Sequence, residues 1–505
     1  MSAKDTHLSD RALTCRPFNL YRVANAVTKI GGMAPGARER RQDHDGQAGS
    51  IARGRPLVAG TPYRGSTLRL ALTSIGAAGV EWYDFFVYGT AAALVFPHLF
   101  FSPDLSPFVA QLAAFSTFAV GFIARPLGGV VFGHFGDLHG RKKTLVVALM
   151  TMGLSTLLVG LLPTYEAVGA LAPLMLILLR FLQGFAVGGQ WGAAALIAIE
   201  NAPEGRRGLF GSFVQIGVPS GVVLANIAFF LSGGLMSPQA FAAWGWRLPF
   251  LLSIVVVGLA LYVHLRMEES REFEALAATG LENDQPELQR SPILRVIASS
   301  WQLILLAGGA FIASNACFYV IITWVISYGT ATLGLSREMM LGCIMVGSLF
   351  MIPALIIVAH ISDRVGRYGL FQLGCIATGL WSFAFFPLLE TGTIAGACTA
   401  ITVGLCVVSM MYGPQAALFA ELFATKVRYS GASLGYQIGV LLGGGFTPMI
   451  AATLFAVFRN SVAVAVFMAA TCLISLICVT LLHARRAREL AQENGVPTLA
   501  VGVGS

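Results

Sequence analysis

Gly133-His134-Phe135-Gly136-Asp137-Leu138-His139-Gly140-Arg141-Lys142-Lys143 and His360-Ile361-Ser362-Asp363-Arg364-Val365-Gly366-Arg367-Tyr368-Gly369 are two copies of one polar loop, their aspartates 226 residues apart. A second pair keeps nearly the same offset: Glu200 with Arg207, and Glu421 with Arg428, each seven residues apart. Long apolar stretches flank both copies. Two halves that repeat their loop chemistry are expected to repeat a fold. In a membrane, such halves rock about a central site.

Composition makes the membrane the setting. Hydrophobic residues are 56% of the 505 and charged residues 11%, with a mean hydropathy of +0.73, far from an ordinary soluble domain. Twelve apolar runs are each long enough to cross ~30 Å of hydrocarbon as a helix. They cover 70–96, 108–132, 144–162, 172–199, 209–232, 247–266, 301–328, 339–361, 370–389, 394–420, 431–457 and 460–483. The alternation of a membrane barrel is absent, so the expected class is an all-α polytopic membrane protein. The expected organisation is a basic tail at 1–69, a six-helix bundle at 70–266 and a linker at 267–300. A second six-helix bundle at 301–483 and a tail at 484–505 complete it.

Lys and Arg set the orientation. With the N-terminus inside, 28 of the 33 fall in inside segments and three (Arg247, Arg337 and Arg459) in outside loops, so both termini are expected in the cytoplasm. The net charge of +8 then reflects topology and attraction to anionic lipid rather than nucleic-acid binding. The tail lacks apolar periodicity and the continuous apolar core of a secretory signal. Seven of eight cysteines lie in the predicted spans and form no metal-ligand pattern.

Charges inside the hydrocarbon are costly, on the order of 2.5–3.5 kcal/mol each, and so mark function. The first half holds Glu81, Asp84, Arg125 and Arg180 within its spans, and the second half holds no such group deep in a span. Glu81, Asp84 and Tyr88 share one face of the first helix, and Arg180 and Gln183 one face of the fourth. At 1.5 Å per residue, Asp84 and Arg180 lie about 18 and 12 Å below the outer ends of their spans. Glu81 and Arg125 lie about 16 and 12 Å from the inner side. Two pairs are therefore expected: Asp84 with Arg180 and Glu81 with Arg125. Asp84 is the leading proton carrier, because a nearby cation and loss of water shift a carboxylate in opposite directions. The alternative is a static ion pair that positions helices. Arg125 precedes Pro126 and could instead satisfy carbonyls freed by the proline.

The second half offers uncharged polar groups. Asn315, Tyr319 and Thr323 recur every four residues on the seventh span, Tyr412 and Gln415 flank Gly413-Pro414, and Gln437 opens the eleventh. With Tyr88 and Gln183 they are the candidate substrate contacts, ordinary helix packing being the alternative for each aromatic. A carboxylate would pair with Arg180 or Arg125. A betaine-like cation could use Tyr88, Tyr319 and Tyr412. The two arginines favour an organic anion.

The motif Gly133-x-x-x-Asp137-x-x-Gly140-Arg141-Lys142 resembles the cytoplasmic loop signature of the major facilitator superfamily (MFS). More narrowly, Glu81–Gly89, Arg125-Pro126-Leu127-Gly128-Gly129, Arg180-Phe181-Leu182-Gln183-Gly184 and Trp244–Phe250 resemble the metabolite:proton symporter family, whose members carry shikimate, 2-oxoglutarate, citrate, proline or betaine. The resemblance spans about 70–483. It implies twelve transmembrane helices in two pseudo-symmetric six-helix bundles. It also implies a cytoplasmic gate built from Gly133, Asp137, Gly140, Arg141, Glu200 and Arg207, repeated as Asp363, Gly366, Arg367, Glu421 and Arg428.

The sequence shows no nucleophile pattern, metal cluster or phosphate loop, so no enzymatic activity is expected. The expected function is proton-coupled uptake of a small organic acid or zwitterion by a monomer in the cell membrane, with the proton as coupling ion and no cofactor. A proton-driven efflux antiporter and an uncoupled facilitator are the alternatives.

Overall fold

The computed structural model describes residues 67–139, 141–188, 199, 202–203, 205–266, 292–423 and 428–493. Its described helices belong to one compact unit, and no strand occurs among the described residues. Most of the 1–69 tail, and 267–291 of the linker, lie outside them.

Among the described residues twelve long helical elements follow in chain order. The first half holds α1 (Thr67–Leu94), α2 (Pro107–His139), α3 (Arg141–Leu161), α4 (Leu171–Val187), α5 (Arg207–Gly234) and α6 (Leu248–Arg266). The second holds α7 (Pro292–Tyr319), α8 (Arg337–Val365), α9 (Arg367–Leu389), α10 (Ile394–Leu422), α11 (Arg428–Val440) and α12 (Val462–Glu493). Among the described residues eight are long and apolar enough to cross a membrane; α3, α4 and α6 add the shorter apolar stretches Val146–Leu161, Leu171–Val187 and Gly245–Val255. Leu154, Leu178, Val255, Phe350, Leu380 and Leu473 are exposed, as lipid-facing positions must be. This is a multi-pass helical membrane protein.

Several boundaries differ from expectation. Helix α7 begins at Pro292, inside the predicted linker, but its backbone breaks at Ser300 (φ −136°, ψ 20°), where the apolar span starts. Helix α12 runs ten residues beyond 483, to Glu493. Two elements are not plain α-helices. Beyond Tyr319, α7 continues through π-helical turns at Val320–Trp324 and Tyr328–Thr332; α11 continues through one at Leu441–Gly445 before resuming as Thr447–Phe458. Such wide turns concentrate at functional sites.

Within the first half α1 packs on α5, and α2 on α4; within the second, α8 packs on α10, and α7 on α11 and α12. The halves meet where α5 packs on α8 and α10, and where α2 packs on α11. The α2–α4 contact is backbone against backbone. A Cβ on Gly184 would collide with the Gly121 carbonyl, and one on Gly188 with the Arg125 carbonyl. Gly184 and Gly188 stand four apart, the small-residue spacing that lets membrane helices approach closely. That approach sets Arg125 and Arg180 side by side across the two helices.

Overpacking a tight contact costs about 1–3 kcal/mol. Gly184→Val is therefore expected to lower the thermal transition of detergent-purified protein by several degrees, read by size-exclusion after heating. Gly342→Ala, where a Cβ meets nothing within 4 Å, is expected to leave it unchanged.

Candidate functional site

Arg125 and Arg180 are fully buried and share one aromatic enclosure. The Arg125 guanidinium carbon lies 4.4 Å from the Phe85 ring centroid and 4.5 Å from that of Phe122. The Arg180 carbon lies 4.4 Å from Phe85, 4.2 Å from Tyr88 and 4.8 Å from Phe118. Gly121 leaves room for the second guanidinium, since a Cβ there would sit 2.6 Å from Arg180 Nε. Tyr319 of the second half closes the enclosure, its ring 5.5 Å from Phe122 and 5.8 Å from Phe118. The site therefore lies at the junction of the halves. Cation–π contacts in such a dry setting are worth about 2 kcal/mol each.

Gln183 organises the polar groups. It accepts a hydrogen bond from Arg180 Nη1, and its Nε2 donates to the Thr156 hydroxyl (2.6 Å) and to the Asp84 backbone carbonyl (3.1 Å). The expected Asp84–Arg180 ion pair is absent from this structure. Depth along the membrane matches the two residues, but Gln183, one turn along α4, takes the Arg180 amine. The Asp84 side chain lies beside Thr156 of α3. Both Asp84 carboxyl oxygens lack a hydrogen-bond partner, as do Nε and Nη2 of Arg125 and of Arg180. Nε and Nη2 form the edge with which a guanidinium grips a carboxylate through two bonds. Both arginines thus leave their gripping edge open. The Glu81 side chain, and with it the expected Glu81–Arg125 pair, lies outside the described residues.

The remaining substrate candidates are all buried but do not all meet. The Tyr88 hydroxyl donates to Thr117 (2.8 Å), leaving its ring against Arg180. Tyr412 donates to Asn315 Oδ1 (3.2 Å), and Asn315 Nδ2 donates to the Phe311 carbonyl (3.0 Å). The expected stripe 315/319/323 is interrupted, because the π turn starting at Val320 changes the register; Thr323 lies against Gly89 of α1 instead. Gln415 Oε1 accepts from Gln215 (3.4 Å) and Gln437 Nε2 donates to the Gly188 carbonyl (2.7 Å), so both glutamines bridge the halves. Phe85, Phe118, Phe122 and Thr156 were not singled out from sequence. Phe118, Phe122 and Arg125, at spacings of four and three on one helix face, carried the available signal.

At the Arg- and Lys-rich end the second copy of the repeated loop ties the halves together. Asp363 accepts hydrogen bonds from the backbone N–H groups of Gly208 (2.8 Å) and Leu209 (3.0 Å), in the first turn of α5. Those donors have no partner within their own helix, and a carboxylate there also meets the positive end of the helix dipole. Gly208 permits the approach, because a Cβ would lie 2.8 Å from Asp363 Oδ1. Arg367 pairs with Asp363 (3.2 Å) and with Glu421. The resemblance implies both salt bridges between halves and helix-end contacts for these groups; among the described residues the ion pairs stay inside the second half, and the link across the junction at this end is the helix-end contact. Gly366 turns the chain at φ 98°, a conformation that favours glycine. Arg207 is exposed. Gly140 and Glu200, the surroundings of Gly133, and the side chains of Asp137, Arg141 and Arg428 lie outside the described residues.

The family model described as Major Facilitator Superfamily matches residues 77–435. The chain belongs to the Major Facilitator Superfamily. Among its MFS relatives, the shikimate transporter of Escherichia coli is 41% identical over 419 residues, covering 81% of this chain and 92% of that one. The inner membrane metabolite transport protein YhjE of Escherichia coli is 39% identical over 438 residues, 85% and 97% of the two chains. The narrower resemblance to metabolite carriers holds. A crystal structure of a D-xylose-proton symporter matches with a TM-score of 0.65 at 17% identity, covering 83% of this chain and 97% of that one, which bears out the MFS fold of two six-helix bundles. The chain is a membrane transporter of small organic substrates, not an enzyme.

Charge-assisted hydrogen bonds at a helix N-terminus are worth about 1–2 kcal/mol, a factor of roughly 5–30 in population. Asp363→Asn is expected to open the basic end by that factor, read as faster alkylation of a cysteine placed in the junction. Unchanged alkylation would show that the tie does not hold that end closed.

Proposed function

We propose that this transporter carries small organic carboxylates together with protons, taking them into the cell by alternating access. The basic end is then cytoplasmic, as are both termini, and the monomer is the working unit. One observation carries the reading. Two buried arginines at the junction of the halves keep their bidentate edges unmet, and α1 buries a carboxyl group, that of Asp84, beside Thr156 with no cation paired to it. Leaving such donors unmet in a dry site is costly, and a carboxylate meets them with two charge-assisted bonds apiece. Shikimate, after which one relative is named, is such an anion.

In this reading Arg180 and Arg125 grip the carboxylate. Phe85, Phe118, Phe122 and Tyr319 cover its apolar part, and Gln183 links the gripping Arg180 to the Asp84 backbone. Asp84 is the proton carrier, since removal from water disfavours the charged form of a carboxyl group. It loads a proton as the site closes and releases it when rehydrated on the basic side. Glu81 and Arg125 supply the second charged pair of the coupling cluster. Tyr88, Asn315, Thr323, Tyr412, Gln415 and Gln437 line the path or hold the halves in register.

Proteoliposomes with an internal pH dye test the coupling. Shikimate, 2-oxoglutarate or citrate is expected to drive acidification in the wild type. Asp84→Asn is expected to abolish acidification and uphill uptake while retaining exchange of labelled for unlabelled substrate. Arg180→Lys keeps the charge but not the two-bond edge, and is expected to raise KM roughly tenfold or more. Uphill, acidifying uptake by Asp84→Asn would remove the proton role.

A further inference from the structure

At the end opposite the basic loops, a cleft of about 490 Å³ opens between the halves. Its walls include Leu94, His98 and Phe241 from the first half and Thr330, Arg337 and Glu338 from the second. The volume falls in the range of small-molecule sites. In the sequence Arg337 is one of three cations expected in outside loops, where the orientation of the chain gives it no task.

Arg337 is oddly placed for a structural cation. It is the first residue of α8, directly after the capping Ser336, whose hydroxyl accepts from Met339 N–H (3.1 Å). A cation there opposes the helix dipole. Its guanidinium lies 4.1 Å from the Phe241 ring centroid, across the junction, and against Gly233 of α5, where a Cβ would collide with Nη2. Its gripping edge is held by Glu338, and weakly: Nε (3.1 Å) and Nη2 (2.9 Å) both reach the same oxygen, Oε1. Neighbours along a helix do not face each other, so Glu338 presents one oxygen where a free carboxylate presents two. The Glu338 side chain is 43% exposed and that of Arg337 22%, so the pair is solvated and readily exchanged.

We infer that this cleft is a second carboxylate site, in which an arriving organic acid replaces Glu338 on the Nε/Nη2 edge of Arg337 while the guanidinium stays seated on Phe241. Exposed His98, on the first-half wall, offers a further hydrogen-bond donor. The site concentrates substrate at the mouth before the halves part. The inference rests on the carboxylate reading of the central site and adds a distinct place of first capture.

Equilibrium dialysis of the purified full chain with radiolabelled shikimate, 2-oxoglutarate and citrate tests it. The wild type is expected to bind two molecules of one of these acids per chain, the stronger at the central arginines. Arg337→Gln is expected to reduce the ratio to one, and Arg337→Lys to leave a weakened second site. Arg180→Gln is expected to remove the stronger site and spare the weaker. Retention of central binding by Arg337→Gln also shows that the variant is folded. A wild-type ratio of one, lost in Arg180→Gln and kept in Arg337→Gln, would overturn the second site and leave the central reading intact. One molecule lost only with Arg337 would do the reverse. No binding of any acid would remove both.

Discussion

Two guanidinium groups held in a dry helical bundle constrain everything around them. Each would cost on the order of 2.5–3.5 kcal/mol to insert alone. The structure offsets that with aromatic faces and, for Arg180, a bond to Gln183, but leaves one edge of each arginine open. The glycine contacts of α2 and α4 follow from the same constraint. Without the close approach at Gly121, Gly184 and Gly188, the two arginines could not share Phe85. The aromatic enclosure therefore serves as a counter-surface for charge rather than as ordinary packing.

Helix α5 connects this site to both ends of the molecule. It packs on α1, which carries Asp84, and on α8 and α10 of the other half. Its first turn is tied to Asp363 at the basic end, while Gly233 near its last turn receives Arg337 at the other. The two ties involve opposite ends of the same two helices, α5 and α8. Rigid halves that rock cannot relax both in the same direction, so releasing one while keeping the other is the motion alternating access requires. Polar bridges through Gln415 and Gln437 lie between and are few enough to exchange.

Much of this was legible in the sequence, for definite reasons. The repeated loops and long apolar runs fixed twelve helices in two halves, because hydrocarbon allows little else. The same intolerance of charge exposed Asp84, Arg125 and Arg180. Their pairing was not legible. Rise per residue gives depth but not which neighbour stands at that height, so the competition of Gln183 for Arg180 stayed hidden. That Asp363 makes a helix-end contact followed from the family resemblance, but its partner, the first turn of α5, was hidden because backbone N–H groups occur in every sequence. The π turn at Val320 was also invisible, since the apolar run of α7 passes through it unbroken, whereas Gly443-Gly444-Gly445 marked α11 as able to bend at its π turn without specifying the turn type.

Calorimetry of carboxylate binding to the purified wild type, run in two buffers of different ionisation enthalpy at one pH, tests the central claim most directly. The difference between the apparent enthalpies counts protons exchanged on binding. Substrate and proton sharing the Arg125–Arg180–Asp84 site predicts uptake of about one proton per carboxylate bound at that stronger, central site. Identical apparent enthalpies in both buffers, with the acid still bound, would contradict it and leave the buried charges as scaffolding.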